Sequence, residues 1–343
     1  MHIKNFKKLE LSENVNTIPK TILEGISEDI DIINYYPDPD GHELKQAIAK
    51  HNKIHENNVF IGNGSDEVIL ATLIGLGIIN QKVAVPCKTF MGYYFSGIFL
   101  KNEIIEINLK DYGINIDTCY TIVKSEQIAA IFICNPHNPF GTLIPRSDLL
   151  QLVRLCEERG VYCVIDEAYI EFVSQDFDLT QYVNDFNYLI VIRTFSKAYG
   201  LAGIRCGYAC SSPTVISKMH SVKKILPFSV NRIALKAATL MLNDQNFLNA
   251  TIQNNNSVKT WFEKQLDSLG VEYVKSNTNF ISICVVDSKR VVSLFYDNSI
   301  LVKDLRSMGI YDFVRITIGT KHDMEQVIKI IYTHKDCFIK TNN

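Results

Sequence analysis

Two hydrophobic patterns alternate through the first two thirds of the chain. Short, nearly unbroken apolar runs occupy residues 82–86, 103–109, 128–134, 161–165 and 188–192, with a shorter one from residue 59. Runs of this length predict strands, and the most uniform of them predict strands buried on both faces. Between them apolar positions recur every three or four residues. Leu149, Leu152, Val153 and Cys156 share one side of a helix predicted over 148–159. Helices are predicted likewise over 41–52, 68–76, 90–100 and 117–124, and over 20–33, where Ile22, Ile26 and Ile30 repeat every four residues. Strand and helix in alternation specify a parallel α/β sheet.

After Pro213 the pattern changes. Helices over 212–226 and 231–243 are interrupted at Pro227, and a long helix with a polar middle spans 244–269. Short strands at 280–286 and 314–318 flank a helix over 289–298, and a last helix runs over 324–334. This is an α+β pattern, so the chain divides into an N-terminal arm (1–33) that joins a small domain, a large domain (34–230) and the rest of the small domain (231–343). The tail from residue 340 reads as disordered.

Composition narrows the class. In 343 residues, 47% are hydrophobic and 21% charged, ordinary for a globular protein with a sizeable core. A net charge of -2, with no basic tail, argues against a nucleic-acid or membrane-surface protein. The N-terminus lacks the apolar core of a signal peptide, and the apolar runs are too short to span a bilayer, so a cytoplasmic location is expected. Nine cysteines without a C-x-x-C pair lie mostly in apolar stretches and read as reduced core thiols. The eight histidines have no ligand spacing, so no metal site is expected.

Polar residues gather just after the predicted strands, where open α/β sheets bind ligands. Asn138, Asp166, Tyr169, Ser196 and Lys197 all stand there. The apolar run at 188–192 stops at Arg193-Thr-Phe-Ser-Lys197, and Arg205, eight residues on, offers a guanidinium fork suited to a phosphate. Gly62-Asn-Gly-Ser-Asp-Glu67 is a glycine turn feeding a helix that Ser65 or Asp66 caps. It reads equally as an anion site and as an ordinary capped helix.

These segments resemble, in the same order, the motifs of histidinol-phosphate aminotransferases within the fold-type-I pyridoxal-phosphate enzymes. They are Tyr36-Pro-Asp-Pro, Gly62-Asn-Gly-Ser-Asp-Glu67, Asn135-Pro-His-Asn-Pro-Phe-Gly141, Asp166-Glu-Ala-Tyr169, Ser196-Lys-Ala-Tyr-Gly-Leu-Ala-Gly-Ile-Arg205 and Arg315-Ile-Thr-Ile-Gly319. The resemblance covers about residues 11–334. It implies a large, mainly parallel sheet domain with a smaller α+β domain, and pyridoxal 5'-phosphate as cofactor. Lys197 is then the Schiff-base lysine and proton carrier, and Asp166 the partner of the pyridine nitrogen. Gly64, Ser65, Asp66, Ser196 and Arg205 hold the cofactor phosphate, joined by Tyr36 from the neighbouring subunit of a homodimer. Phe90 stands for the ring-stacking aromatic, usually tyrosine. Asn138 and Tyr169 bond the ring hydroxyl, with Tyr169 also counted among the catalytic residues. Arg315 binds the substrate's anionic group.

Departures from the pattern concern the substrate. The family's N-E-N-P-Y-G-P stretch is here Ser12-Glu-Asn-Val-Asn-Thr-Ile-Pro19, which keeps Asn14 as a substrate-binding candidate but lacks the tyrosine. Lys303 stands where a second arginine is usual, keeping the charge without the fork. Phe140 replaces a customary threonine. The resemblance implies transamination between an amino donor, by default histidinol phosphate, and a 2-oxo acid, by default 2-oxoglutarate. The alternative is decarboxylation, oxidation or cyclisation of another amino acid on the same cofactor.

Overall fold

The computed structural model describes residues 6–339, so the expectation for the tail from residue 340 lies outside the described residues. The chain begins with strand β1 (Lys7–Leu9) and helices α1 (Lys20–Ile30) and α2 (His42–Asn52). Alternation follows through β2 (Val59–Gly62), α3 (Gly64–Gly75), β3 (Lys82–Pro86), α4 (Met91–Phe99) and β4 (Glu103–Ile107). A small hairpin, β5 (Leu109–Lys110) and β6 (Gly113–Ile114), precedes α5 (Ile116–Ser125), β7 (Ala130–Cys134), α6 (Arg146–Arg159), β8 (Tyr162–Asp166), β9 (Leu189–Thr194) and β10 (Gly207–Ser211). The remainder is α7 (Pro213–His220), α8 (Arg232–Asn243), α9 (Gln245–Leu269), β11 (Tyr273–Val274), β12 (Phe280–Cys284), α10 (Ser288–Asp297), β13 (Ile300–Asp304), β14 (Phe313–Thr317) and α11 (Lys321–Thr333).

The large sheet has seven strands in the order β2-β10-β9-β8-β7-β3-β4. Its pairs from β9 to β4 are parallel, whereas β10 runs antiparallel to both β9 and β2. Along β7, Ala130, Phe132 and Cys134 enter one core cluster while Ile131 and Ile133 enter the other. Both faces are therefore buried, and the unbroken apolar runs follow from that. The second sheet has five strands in the order β1-β13-β14-β12-β11 over its own core.

Several local expectations are corrected. The strands not expected include β10, whose Gly207 follows a glycine-rich loop, β1 and β13, whose runs are short and mixed, and the two-residue β6 and β11. Helix α3 begins at Gly64, so Ser65 and Asp66 lie inside its first turn and cap nothing. The Glu67 carboxylate instead accepts from the backbone N–H of Asn63. The strand expected over 103–109 stops at Ile107, because Leu109 turns into the hairpin. Ile22 of α1 and Ala234, Ala237, Ala238, Met241, Leu242, Phe247 and Leu248 of α8 and α9 pack in the same core cluster as residues of β7, β8 and β9. Helix α9 then crosses between the cores, with Phe247 and Leu248 in one and Phe262 and Leu266 in the other.

Candidate active site

The carboxyl ends of β7, β8 and β9, with the loop between β2 and α3, converge on one edge of the large sheet. Asp166 is the last residue of β8, paired in register with Cys134 of β7 and Ile192 of β9. Lys197 follows β9, and the loop 135–141 follows β7.

Asp166 is 4% exposed and accepts two hydrogen bonds, from the Tyr93 hydroxyl and from the Ala168 N–H at 3.0 Å. Burial lifts its pKa from the ordinary 3.8 to about 6, against the pull of those two donors. It is thus a carboxylate at neutral pH, with its charge held at an apolar sheet edge. Tyr93 was not singled out in the sequence, where it is one aromatic among several in a predicted helix. Its ring stacks on Phe132, 5.2 Å between centroids, which delivers the hydroxyl to Asp166. Phe90, the residue preceding α4, packs edge-on to Tyr93 at 5.4 Å.

Lys197 donates from Nζ to the Leu11 carbonyl at 2.8 Å and lies 5.6 Å from the centre of the Tyr169 ring. Burial, with Arg315 nearby as a second cause, lowers its pKa from 10.5 to about 8. The amine is therefore available for chemistry near neutrality. Tyr169 is buried, edge-on to Phe280 at 5.2 Å, and burial raises its phenol to about 12, so it stays a donor.

Ser65, Asp66, Ser196 and Arg205 meet beside the first turn of α3, whose N–H groups have no intrahelical partners. Arg205 Nη2 reaches Asp66 at 2.8 Å, and Nη1 reaches Ser196 Oγ at 3.4 Å and the Ala202 carbonyl at 3.2 Å. Arg205 adopts φ +60°, uncommon for a side-chain-bearing residue. Two glycines make the close approach possible. A Cβ at Gly64 would stand 2.4 Å from Arg205 Nη2, and one at Gly207 would stand 2.7 Å from the Ser65 nitrogen.

On the second sheet, Arg315 is buried and donates to Asn138 Oδ1 and, at 2.9 Å, to the Glu10 carbonyl. Neither partner is a carboxylate. Lys303 and Ser282 are its register neighbours on the flanking strands, so all three side chains share one face of the sheet. Asn14 donates to the Ala198 carbonyl at 2.8 Å, tying the N-terminal segment to the residue after Lys197. Tyr36 is not brought to this edge within one chain. It is 78% exposed, and its ring stacks on Phe228 at 4.6 Å.

A buried ion pair behind the site also escaped the sequence reading. Arg193 of β9 contacts Glu167 through Nε at 3.1 Å and Nη2 at 2.8 Å, and Asp178 through Nη2 at 2.7 Å. It ties the strand end before Lys197 to the residue after Asp166. Charged residues beside apolar runs on two strand ends were the available signal.

Residues 7–331 match the aminotransferase class I and II family. A histidinol-phosphate aminotransferase of Psychrobacter arcticus is 30% identical over 336 residues, covering 95% of this chain and 87% of that one. Another, from Brevibacillus brevis, is 32% identical over 330 residues, covering 94% and 89%. Among solved structures, the histidinol-phosphate aminotransferase of Sinorhizobium meliloti in complex with pyridoxal 5'-phosphate superimposes with a TM-score of 0.85 at 23% identity, covering 95% of this chain and 91% of that one. The chain belongs to the aminotransferase class I and II family and is a pyridoxal-phosphate-dependent aminotransferase of the fold-type-I architecture.

Proposed function

We propose that this enzyme moves the amino group of histidinol phosphate to 2-oxoglutarate, with Lys197 and Asp166 at its centre. The observation that supports this most is the meeting, at one sheet edge, of a lysine of depressed pKa, a buried carboxylate and an arginine-helix cup, opposite an arginine that donates to an amide oxygen and a backbone carbonyl.

The residues present fit the cofactor. Ser65, Ser196 and Arg205, with the N–H groups of the first turn of α3 including that of Asp66, suit a phosphate, which would compete with the Asp66 carboxylate for the Arg205 fork. The Asp166 carboxylate suits a protonated ring nitrogen, and Tyr93 holds it in place. Asn138 has its Oδ1 taken by Arg315, which leaves its amide N–H groups to donate to a ring oxygen, as the Tyr169 hydroxyl can. Phe90, edge-on to Tyr93, would be the aromatic that stacks on the cofactor ring. Bound pyridoxal phosphate supplies an electron sink for the bond that breaks at the substrate Cα. Lys197 Nζ would take and return the substrate Cα proton, for which a pKa of about 8 is well matched. Arg315, Lys303 and Asn14 line the approach of the donor's phosphate and the acceptor's carboxylate.

In the same reading the enzyme is a cytoplasmic homodimer. Tyr36, exposed together with Tyr35 and Ile33, reaches the partner's cofactor phosphate. The large domain extends past residue 230 to about residue 248, and α9 joins it to the small domain.

The test is an absorbance scan of the purified protein while amino compounds are added singly, beginning with histidinol phosphate. Loss of the cofactor band with histidinol phosphate, restored by 2-oxoglutarate and absent in Lys197→Ala, is the expected result. A band that only other amines shift removes the named donor.

A further inference from the structure

The loop 135–141 is gripped from the second sheet at several points. Arg315 donates to Asn138 Oδ1, Ser282 Oγ to the Pro139 carbonyl at 2.6 Å, and the Asn277 backbone and side-chain N–H groups to the Gly141 carbonyl at 2.8 and 3.1 Å. Phe140 stands in the middle of this grip. It is 3% exposed, and the other buried members of its cluster, Val274, Cys284, Leu305, Ile310 and Phe313, all come from the second sheet and its loops. The side chain is therefore a plug carried by the large sheet and seated in the small domain.

Tyr112 closes the cluster from outside. Its ring centroid lies 5.2 Å from those of both Phe140 and Phe313, which are 5.4 Å from each other. Tyr112 and Asp111 form the two-residue turn between β5 and β6, with φ of +63° and +50°. Such a turn ordinarily calls for Asn-Gly or a similar pair, and a bulky residue at positive φ is strained. The strain is maintained where the ring bridges the two domains, a pattern that points to function.

Phe140 lies two residues beyond Asn138, and Phe313 two residues before Arg315. The aromatic contact and the Asn138–Arg315 hydrogen bond thus join the same two segments side by side. We propose that Tyr112, Phe140 and Phe313 form an interdomain aromatic clamp that fixes Arg315 relative to Asn138. They act as positioning residues for capture of the substrate's anionic group, which rests on the reading of Arg315 given above. A threonine at position 140 would leave the socket largely unfilled, so the clamp is a property of this chain's own sequence.

The test uses the cofactor-loaded enzyme and maleate as an anionic probe. Tyr112→Gly deletes the ring while easing the turn, so loss of folding does not confuse the result, and Phe140→Thr empties the socket. Both should raise the maleate Kd about tenfold in titration calorimetry. The KM for the oxo acid should rise in parallel while kcat and the cofactor band hold. Tyr112→Phe should retain wild-type affinity, and hydrogen exchange over 138–141 and 313–317 should quicken in Tyr112→Gly. Unchanged maleate affinity and exchange in both deleting variants, or a loss equally large in Tyr112→Phe, would overturn the clamp. If wild-type enzyme ignores maleate, or Arg315→Met binds it as well as wild type, the reading of Arg315 fails instead, and the exchange measurement alone decides whether the clamp exists.

Discussion

Asp166→Asn should stabilise the cofactor-free protein at neutral pH while disabling the loaded enzyme. Burial raises the Asp166 pKa from 3.8 to about 6, more than the Tyr93 and Ala168 donors lower it. A group whose value is higher in the folded state holds its proton better there. Its contribution to stability is complete below pH 3.8 and is lost as the pH rises through about 6. At about 1.4 kcal/mol per pH unit, that loss amounts to about 3 kcal/mol by pH 7. Asparagine carries no charge to bury, but it accepts through one oxygen and so forgoes one of the two bonds, at a cost of about 1 kcal/mol. The expected net gain is about 2 kcal/mol at pH 7, turning to a loss of about 1 kcal/mol near pH 4, where the aspartate is protonated in the fold. Urea unfolding of cofactor-stripped wild type and variant, followed by circular dichroism at both pH values, measures this directly. A stability difference that does not depend on pH, or a variant weaker than wild type at pH 7, would refute the reasoning. With cofactor present the order should reverse, because a neutral amide cannot balance a protonated ring nitrogen. Such a reversal is the expected trade between stability and a functional charge.

Capture of added cofactor by the stripped protein should speed up with pH to half its limit near pH 8, the value to which burial and Arg315 bring Lys197, rather than near 10.5; stopped-flow absorbance reads it. Arg315→Met, which removes the second of those causes, should move that midpoint upward and weaken oxo-acid binding at least about tenfold, seen in KM. Gly207→Ala sets a Cβ 2.7 Å from the Ser65 nitrogen and 2.8 Å from the Gly64 carbonyl carbon, both backbone, so the phosphate cup must spread. Its cofactor Kd, from fluorescence titration, should rise about tenfold with a stability loss of about 1–3 kcal/mol. Arg193→Met should cost about 3–5 kcal/mol in urea unfolding, because the buried Glu167 Oε2 loses both Arg193 donors, and Glu167→Leu in the same chain should recover only part, since Asp178 also loses Arg193.

What could be read in the sequence was whatever depends on one segment at a time. Strands β3, β7, β8 and β9 are buried on both faces, so they announce themselves as apolar runs, and the polar residues after them fall at the sheet edge by topology alone. What could not be read depends on two segments meeting. Strand β13 mixes buried and partly exposed residues over only five positions, so the pairing that sets Lys303 beside Arg315 could not be read from the sequence. Tyr93 is indistinguishable from a core aromatic until Asp166 stands against its hydroxyl. Phe140 reads as a substitution in a substrate loop, yet its ring turns toward Phe313 in the other domain. The start of α3 is the exception that was within reach, since a Glu67 carboxylate that can reach back to the Asn63 N–H four residues earlier is a signal of the local kind.

Ten non-glycine residues among the described residues hold positive φ, and two of them carry side chains to the phosphate cup and to the contact between the two sheets. Arg205 at φ +60° and Tyr112 at φ +63° occupy backbone conformations that favour glycine, and each conformation costs on the order of 1 kcal/mol or more. A glycine at either position would be better for the backbone but would carry no guanidinium to Asp66 and Ser196, and no ring to Phe140 and Phe313. Local propensity is overruled where a side chain must span two elements, once at the cofactor cup and once between the domains.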